Sequence, residues 1–252
     1  MSVDPRSGRA RRAKPSLLTI IMPVYNERAT LRTSLERLLK TDLPLDLEVL
    51  VVDDGSTDGC TTTITDLVEN GSVRLITKKR NEGKGRALRT GIENARGDLI
   101  AILDADLEYD PADYRLMLPP ILEGDADVVY GTRSFAAHTA FSFWYVIANK
   151  FLALWASFLF STWVTDTYTC LKLASAELWR SLDLNERGFG VEAEATAKFL
   201  KAGHLVYEIP ISYRARRREE GKKLDWTDGV HALWVFLKIR VFPPRRNAPS
   251  PR

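Results

Sequence analysis

"ILDADLEYDP" (residues 102–111) is the stretch on which the reading of this chain turns. An apolar run, Leu99 to Leu103, leads into acids at alternate positions: Asp104, Asp106, Glu108 and Asp110. In an extended chain, residues i and i+2 share a face. The pattern predicts a buried strand that delivers several carboxylates into one small volume. Like charges that close repel, so the spacing calls for a compensating cation. Oxygen ligands in this arrangement suit a hard divalent ion, Mg²⁺ or Mn²⁺, typically held by one or two carboxylates plus substrate phosphates. The competing reading is a solvated turn, with Asp110-Pro111 opening a helix. That suffices for Asp110 but not for Asp104 and Asp106.

Outward from this stretch, strand and helix patterns alternate. Continuous apolar runs predict strands over 17–25, 47–54, 72–79, 97–106 and 126–133. Segments with helical spacing lie between them, over 28–40, 57–69, 84–95 and 111–123. Such alternation predicts an α/β fold with a mostly parallel central sheet flanked by helices. Ligands of such sheets bind at the carboxyl ends of the strands, where Asp53, Asp54, Asp104 and Asp106 fall. The second half reads as helical over 175–202, a strand over 204–214 and a last amphipathic helix over 225–241. Between the halves lies "FSFWYVIANKFLALWASFLFSTWVT" (141–165), rich in aromatic residues, with Lys150 as its one charge.

With 252 residues, 45% apolar and 27% charged, the chain is ordinary for a globular protein. Two cysteines, Cys60 and Cys170, form neither a disulfide framework nor a metal-ligand spacing, which fits a reduced, cytosolic compartment. The net charge of +3 conceals basic ends around an acidic centre. Such ends suit an anionic membrane surface or nucleic acid, though no nucleic-acid-binding module is recognisable.

Other motifs narrow the chemistry. "MPVYNE" (22–27) ends the first strand, where Tyr25 can lie along a flat base and Glu27 can bond its edge; a turn at Asn26 is the plainer reading. In "VVDDGSTDG" (51–59), Ser56 to Asp58 read as a helix start, which leaves Asp54 to accept hydrogen bonds from a nucleobase or ribose. "NEGKGRALRTG" (81–91) sets Lys84 between glycines at a helix N-terminus, where it can meet a phosphate or sit in an ordinary loop. No P-loop, G-x-G-x-x-G, G-x-S-x-G or H-E-x-x-H occurs. His138, His204 and His231 form no triad. "RARRREEGKK" (214–223) holds six Lys/Arg, either a solvated run or a phosphate-binding loop.

Taken in order, "MPVYNE", "VVDDGSTDG", "NEGKGRAL", "LDADLEYDP", "DVVYGTR", "DTYTCLK", "FGVEAEATAK", "EIPISY" and "GKKLDWTDG" resemble the family 2 glycosyltransferases. More closely, they look like the dolichol-phosphate mannosyltransferase-like branch, which includes bacterial polyprenyl-phosphate glycosyltransferases. The resemblance implies a GT-A fold over 16–224, after a disordered basic arm (1–15) and before a C-terminal amphipathic helix and basic tail (225–252). It also implies inverting, metal-dependent transfer of a hexose from GDP-mannose or UDP-glucose to polyprenyl or dolichyl phosphate. Residue by residue, Pro23, Tyr25, Glu27, Val52 and Asp54 would line the nucleoside. Asp104, Ala105 and Asp106 would form the D-x-D, with Asp104, Asp106 and Glu108 as metal ligands. Asp106, Arg133, Arg216 and Lys223 would serve catalysis, with Lys84 and Lys172 binding substrate.

A phosphate monoester has a second pKa of about 6, so such an acceptor is already an anionic nucleophile and needs no general base. A catalytic histidine is then not required. The expected location is peripheral, on the cytoplasmic face of the cell membrane. There 141–165 would form interfacial helices, and Lys238, Arg240, Arg245 and Arg246 would add attraction to anionic lipid. A buried core helix is the competing reading of 141–165. A related transferase with a soluble acceptor is the alternative function, and a catalytically silent binding protein a third.

Overall fold

The computed structural model describes residues 15–134, 138–139, 143–204, 206–216 and 226–242. The basic arm up to residue 14, Lys223, Arg245 and Arg246 lie outside them. In chain order the elements are β1 (Leu17–Val24), α1 (Leu31–Leu39), β2 (Asp46–Asp53), α2 (Thr65–Glu69), β3 (Arg74–Thr77), α3 (Lys84–Asn94), β4 (Leu99–Ile102), α4 (Tyr114–Leu122) and β5 (Val128–Thr132). Then come β6 (His138–Thr139), α5 (Phe143–Phe160), β7 (Lys172–Ser175), α6 (Ala176–Ser181), α7 (Gly190–Lys201), β8 (Val206–Pro210), β9 (Tyr213–Arg214) and α8 (Trp226–Val241).

Seven strands form one sheet in the order β3-β2-β1-β4-β7-β5-β8. β1 pairs in parallel with β2 and β4, β2 with β3, and β5 with β8. β7 runs antiparallel between β4 and β5. The central strands β1, β4 and β5 are buried on both faces, so they read as unbroken apolar runs rather than alternating ones. Leu18, Ile20, Ile21, Val51, Ile100 and Val129 are among the fully buried side chains of the main core.

Three expectations need correction. The helix placed over 57–69 is a 3-10 turn at Cys60–Ile64 followed by the short α2. The region 175–202 is not continuously helical: β7 precedes it and a loop parts α6 from α7. β4 ends at Ile102, before the acids.

A second apolar cluster joins α5, α7 and α8 through Leu152, Ala156, Ala193, Ala197, Ala232, Val235 and Phe236. The alanines on α7 let the two flanking helices approach closely. The outer faces of α5 and α8 stay exposed and apolar: Ile147, Phe151, Leu154 and Phe158 on α5, and Val230, Trp234 and Val241 on α8. Segment 141–165 is therefore neither wholly core nor wholly surface. Among the described residues no helix is long and apolar enough to cross a membrane.

Candidate active site

The acids of 104–110 are presented by a turn beyond β4, not by an extended strand. Leu107 sits at φ 63°, in the left-handed region. The turn sends each acid to a different partner. Asp110 accepts from the Ala112 amide at 2.9 Å and caps the following 3-10 turn, as a plain helix start would. Asp104 Oδ2 lies 2.9 Å from Lys84 Nζ. Asp106 Oδ2 accepts from Arg216 Nη2 at 2.9 Å. Glu108 accepts from the Tyr213 hydroxyl at 2.7 Å and from the Arg216 amide at 2.9 Å.

Arg216 thus enters a nest of carboxylates. Its Nη1 also donates to Glu27 Oε2, at the end of β1, over 3.2 Å. Its Nε is buried without a hydrogen-bond partner, 3.6 Å from Glu108 Oε1. Burial, followed by the charges of Asp104 and Glu108, pushes the Asp106 carboxyl up to about 7, against the pull of Arg216. Both Glu108 oxygens are engaged by the 213–216 segment. Glu108, expected as a metal ligand, ties that segment to the acid turn.

Lys84 opens α3 between Gly83 and Gly85, and the glycines have a geometric reason. A Cβ at either would run into the backbone carbonyls of Arg187 and Glu186. The Arg187 carbonyl accepts from the Gly85 amide at 2.7 Å. That carbonyl closes the helix N-terminus, which the sequence offered to a phosphate. Lys84 Nζ lies between Asp104 and Glu192 Oε1, the latter at 3.1 Å. Burial opposes its charge, yet Asp104, Cys170 and Glu192 outweigh that and hold its pKa well above the ordinary value. Glu192 also binds Lys172 on the other side. Lys172 is fully buried, 4.9 Å from the centre of the Tyr130 ring. It stands here as a core cation paired with Glu192, whereas the resemblance implies a substrate-binding lysine.

Arg133, after β5, forms a two-pronged pair with Asp166: Nε to Oδ2 at 2.7 Å and Nη2 to Oδ1 at 2.8 Å. Its guanidinium lies 5.0 Å from the Tyr213 ring centre. The fork of Arg133, expected to serve catalysis, is therefore occupied by Asp166. Asn149, on α5, donates to the same Asp166 Oδ1 at 3.1 Å, and Lys150 donates to Ser134 Oγ at 2.6 Å. A continuous set of contacts thus runs from Glu108 through Tyr213, Arg133 and Asp166 to α5. Asp166, Glu192, Tyr213 and Asn149 carried no role in the sequence reading. Their signal was a polar side chain inside an otherwise buried run, as in "GVEAEA".

At the carboxyl end of β1, the parallel neighbour of β4, Pro23 and Tyr25 are half-buried, and Pro23 pairs with Val52. The Val52 and Ala105 side chains are buried in the core. Asp54 is not free. Its carboxylate accepts from Lys78 Nζ at 2.6 Å and from the amides of Glu82 and Gly83 at 3.1 and 2.6 Å. It holds the turn that leads into Lys84.

Among the described residues, no cluster of three or more Asp, Glu, His or Cys side chains is disposed to hold a metal ion. A cation such as Mg²⁺ does not require three protein ligands when substrate phosphates supply the rest. Asp104 and Asp106 are hard oxygen donors, and the guanidinium already seated on Asp106 shows that a positive charge fits there. The residues present fit a divalent cation shared by those two.

Residues 19–172 match the family model described as glycosyl transferase family 2. The chain is 37% identical over 112 residues to the undecaprenyl-phosphate 4-deoxy-4-formamido-L-arabinose transferase of Aeromonas hydrophila, covering 43% of this chain and 34% of that protein. It thus spans about a third of that relative's length. It is 29% identical over 245 residues to the dolichyl-phosphate beta-glucosyltransferase of Dictyostelium discoideum, covering 88% of this chain and 73% of the other. Its structure superposes on glucosyl-3-phosphoglycerate synthase of Mycobacterium tuberculosis, solved with Mn²⁺, UDP and glucosyl-3-phosphoglycerate. The TM-score is 0.70 at 20% identity, over 91% of this chain and 82% of the other.

Proposed function

The chain belongs to glycosyl transferase family 2, with a GT-A fold, and from that premise we propose that it transfers a hexose, with inversion, from GDP-mannose or UDP-glucose to polyprenyl or dolichyl phosphate. The reaction would take place on the cytoplasmic face of a membrane to which the protein binds peripherally. The observation that carries this reading is the contact path from Glu108 to α5. One helix presents Ile147, Phe151, Leu154 and Phe158 outward and reaches the charged centre through Asn149. A lipid tail along such a helix would leave its phosphate beside the acid turn. The relatives named above, whose names pair a sugar with a polyprenyl or dolichyl phosphate, support the same class of acceptor.

In this mechanism, Asp104 and Asp106 would hold Mg²⁺ or Mn²⁺ together with the donor diphosphate. When bound, the ion supplies positive charge to the departing nucleoside diphosphate. Lys84 keeps Asp104 in place and adds a fixed positive charge. Tyr25 and Glu27, at the end of β1, stand where a nucleoside would lie. Arg216 and Lys223 would hold phosphate oxygens. No residue need remove a proton, because the acceptor phosphate arrives ionised. Rate then comes from positioning and from fixed charges in a partly dry site.

A donor screen with Mg²⁺ or Mn²⁺ against a short polyprenyl phosphate tests the reading. The expected result is one β-linked or otherwise inverted lipid-phosphate sugar, read from the anomeric coupling by NMR. Transfer to a soluble acceptor in preference to the lipid phosphate, or retention at the anomeric carbon, would overturn it.

A further inference from the structure

Arg216 carries a single positive charge to three carboxylates, Glu27, Asp106 and Glu108. The fit is incomplete, since its buried Nε has no hydrogen-bond partner. The guanidinium keeps one hydrogen bond to Glu27 and one to Asp106, and the latter is a contact that another cation can displace. The Asp106 Oδ2 that it occupies belongs to the pair suited to a divalent ion. A divalent ion drawn to Asp106 would meet the positive charge of Arg216 beside it, and like charges at such range disfavour joint occupancy. A nucleoside diphosphate changes the balance, because its oxygens offer the guanidinium a two-pronged anionic partner in exchange.

We propose that Arg216 is a built-in counter-cation that competes with the divalent metal for Asp106, so that metal and nucleotide-sugar enter together rather than metal alone. The inference rests on the glycosyl-transfer reading for its donor but concerns a property of the substrate-free protein. In the free protein Arg216 occupies Asp106 Oδ2 and reduces the affinity of the acid turn for the bare ion. With donor present, the same side chain moves from carboxylate to phosphate, and the vacated oxygen becomes available.

Titration of the full chain with Mn²⁺ alone, following free ion by its paramagnetic resonance signal, tests this without any substrate. Arg216→Gln should bind Mn²⁺ about tenfold or more tightly than the unaltered protein, because the competing state is removed. Arg216→Lys keeps a charge but cannot span Glu27 and Asp106 together, and should fall between the two. Adding Asp106→Asn to Arg216→Gln should abolish the gain. Equal or weaker Mn²⁺ binding by Arg216→Gln would overturn the inference, as would a gain that survives Asp106→Asn. Should Arg216→Gln fail to fold, Arg216→Lys binding no tighter than the unaltered protein overturns it equally. These outcomes leave the donor screen untouched, so failure here and failure of the glycosyl-transfer reading are separable.

Discussion

Glu192 on α7 and Lys84 on α3 form an ion pair of 3.1 Å at the inner wall of the charged centre. Glu192 is 3% exposed and neutralises Lys172 as well. Removing one member of a buried network leaves the others uncompensated, at roughly 3–5 kcal/mol. Glu192→Gln should therefore lower the melting temperature by several degrees. It should also weaken turnover, because Lys84 loses one of the two carboxylates that orient it against Asp104. Thermal melting together with kcat measured on the folded fraction checks both parts.

Lys172 gives a sharper contrast. Enclosed by Glu192, Tyr130 and the Thr169 carbonyl, it touches no open surface. Lys172→Met should destabilise the protein while leaving KM for the donor within about twofold, since each tenfold change would need some 1.4 kcal/mol of lost contact. A raised KM with unchanged melting would return Lys172 to the substrate site.

Chelation and Asp106 form the third test. EDTA should abolish transfer, and Asp106→Asn should do so without loss of fold. A carboxyl pushed up to about 7 by burial and neighbouring acids gains nothing for stability from being ionised. The melting temperature of Asp106→Asn should thus equal or exceed that of the unaltered protein. Full activity of Asp106→Asn in EDTA would remove the metal from the mechanism.

Asp113 supplies a pH dependence away from the site. Burial is the chief cause that pushes its carboxyl up to about 6, with Asp110 adding to it and the Ser212 amide opposing. A folded pKa above the unfolded value of about 3.9 means stability that is complete below the unfolded value and lost as pH rises through the folded one. Asn mimics the protonated state and can still accept from Ser212. Asp113→Asn should match the unaltered protein near pH 4 and melt a few degrees higher near pH 8, about 1 kcal/mol after allowance for solvent screening.

The outer face of α5 is the last test. Phe151 and Phe158 are 55% and 75% exposed, so changing both to Ser should leave melting nearly unchanged. Flotation with anionic vesicles should fall sharply if the pair buries in lipid, where each such side chain contributes up to about 1.5–3 kcal/mol. High salt should release the unaltered protein in part, as the Lys238 and Arg240 contribution of about 1 kcal/mol each is screened. Vesicle binding that the double change leaves intact would point away from α5.

The alternation of apolar runs and helical spacings was enough to read the parallel strands, because a doubly covered strand must be apolar throughout. β7 was not legible for the same reason inverted: Lys172 interrupts its run, and only the distant Glu192 makes that lysine tolerable. Asp104 and Asp106 were legible as a pair, and their separate partners were not. Lys84 and Arg216 lie 20 and 110 residues away in sequence from the acids they meet, a distance that spacing cannot encode. Asp54 was read as an open acceptor because its partners, two backbone amides and the ammonium of Lys78 24 residues on, leave no mark in its own motif.

The position of β7 also has a consequence for synthesis. β4 and β5 are finished by Thr132, yet the strand that joins them begins at Lys172, after α5. A nascent chain emerging from the ribosome therefore carries one unpaired edge of β4 and both edges of β5 while the most apolar helix of the protein is still being made. Unpaired edges and exposed apolar surface are what neighbouring chains stick to. The interval between Thr132 and Ser175 is the stretch of elongation during which this protein most needs a chaperone or an early membrane contact.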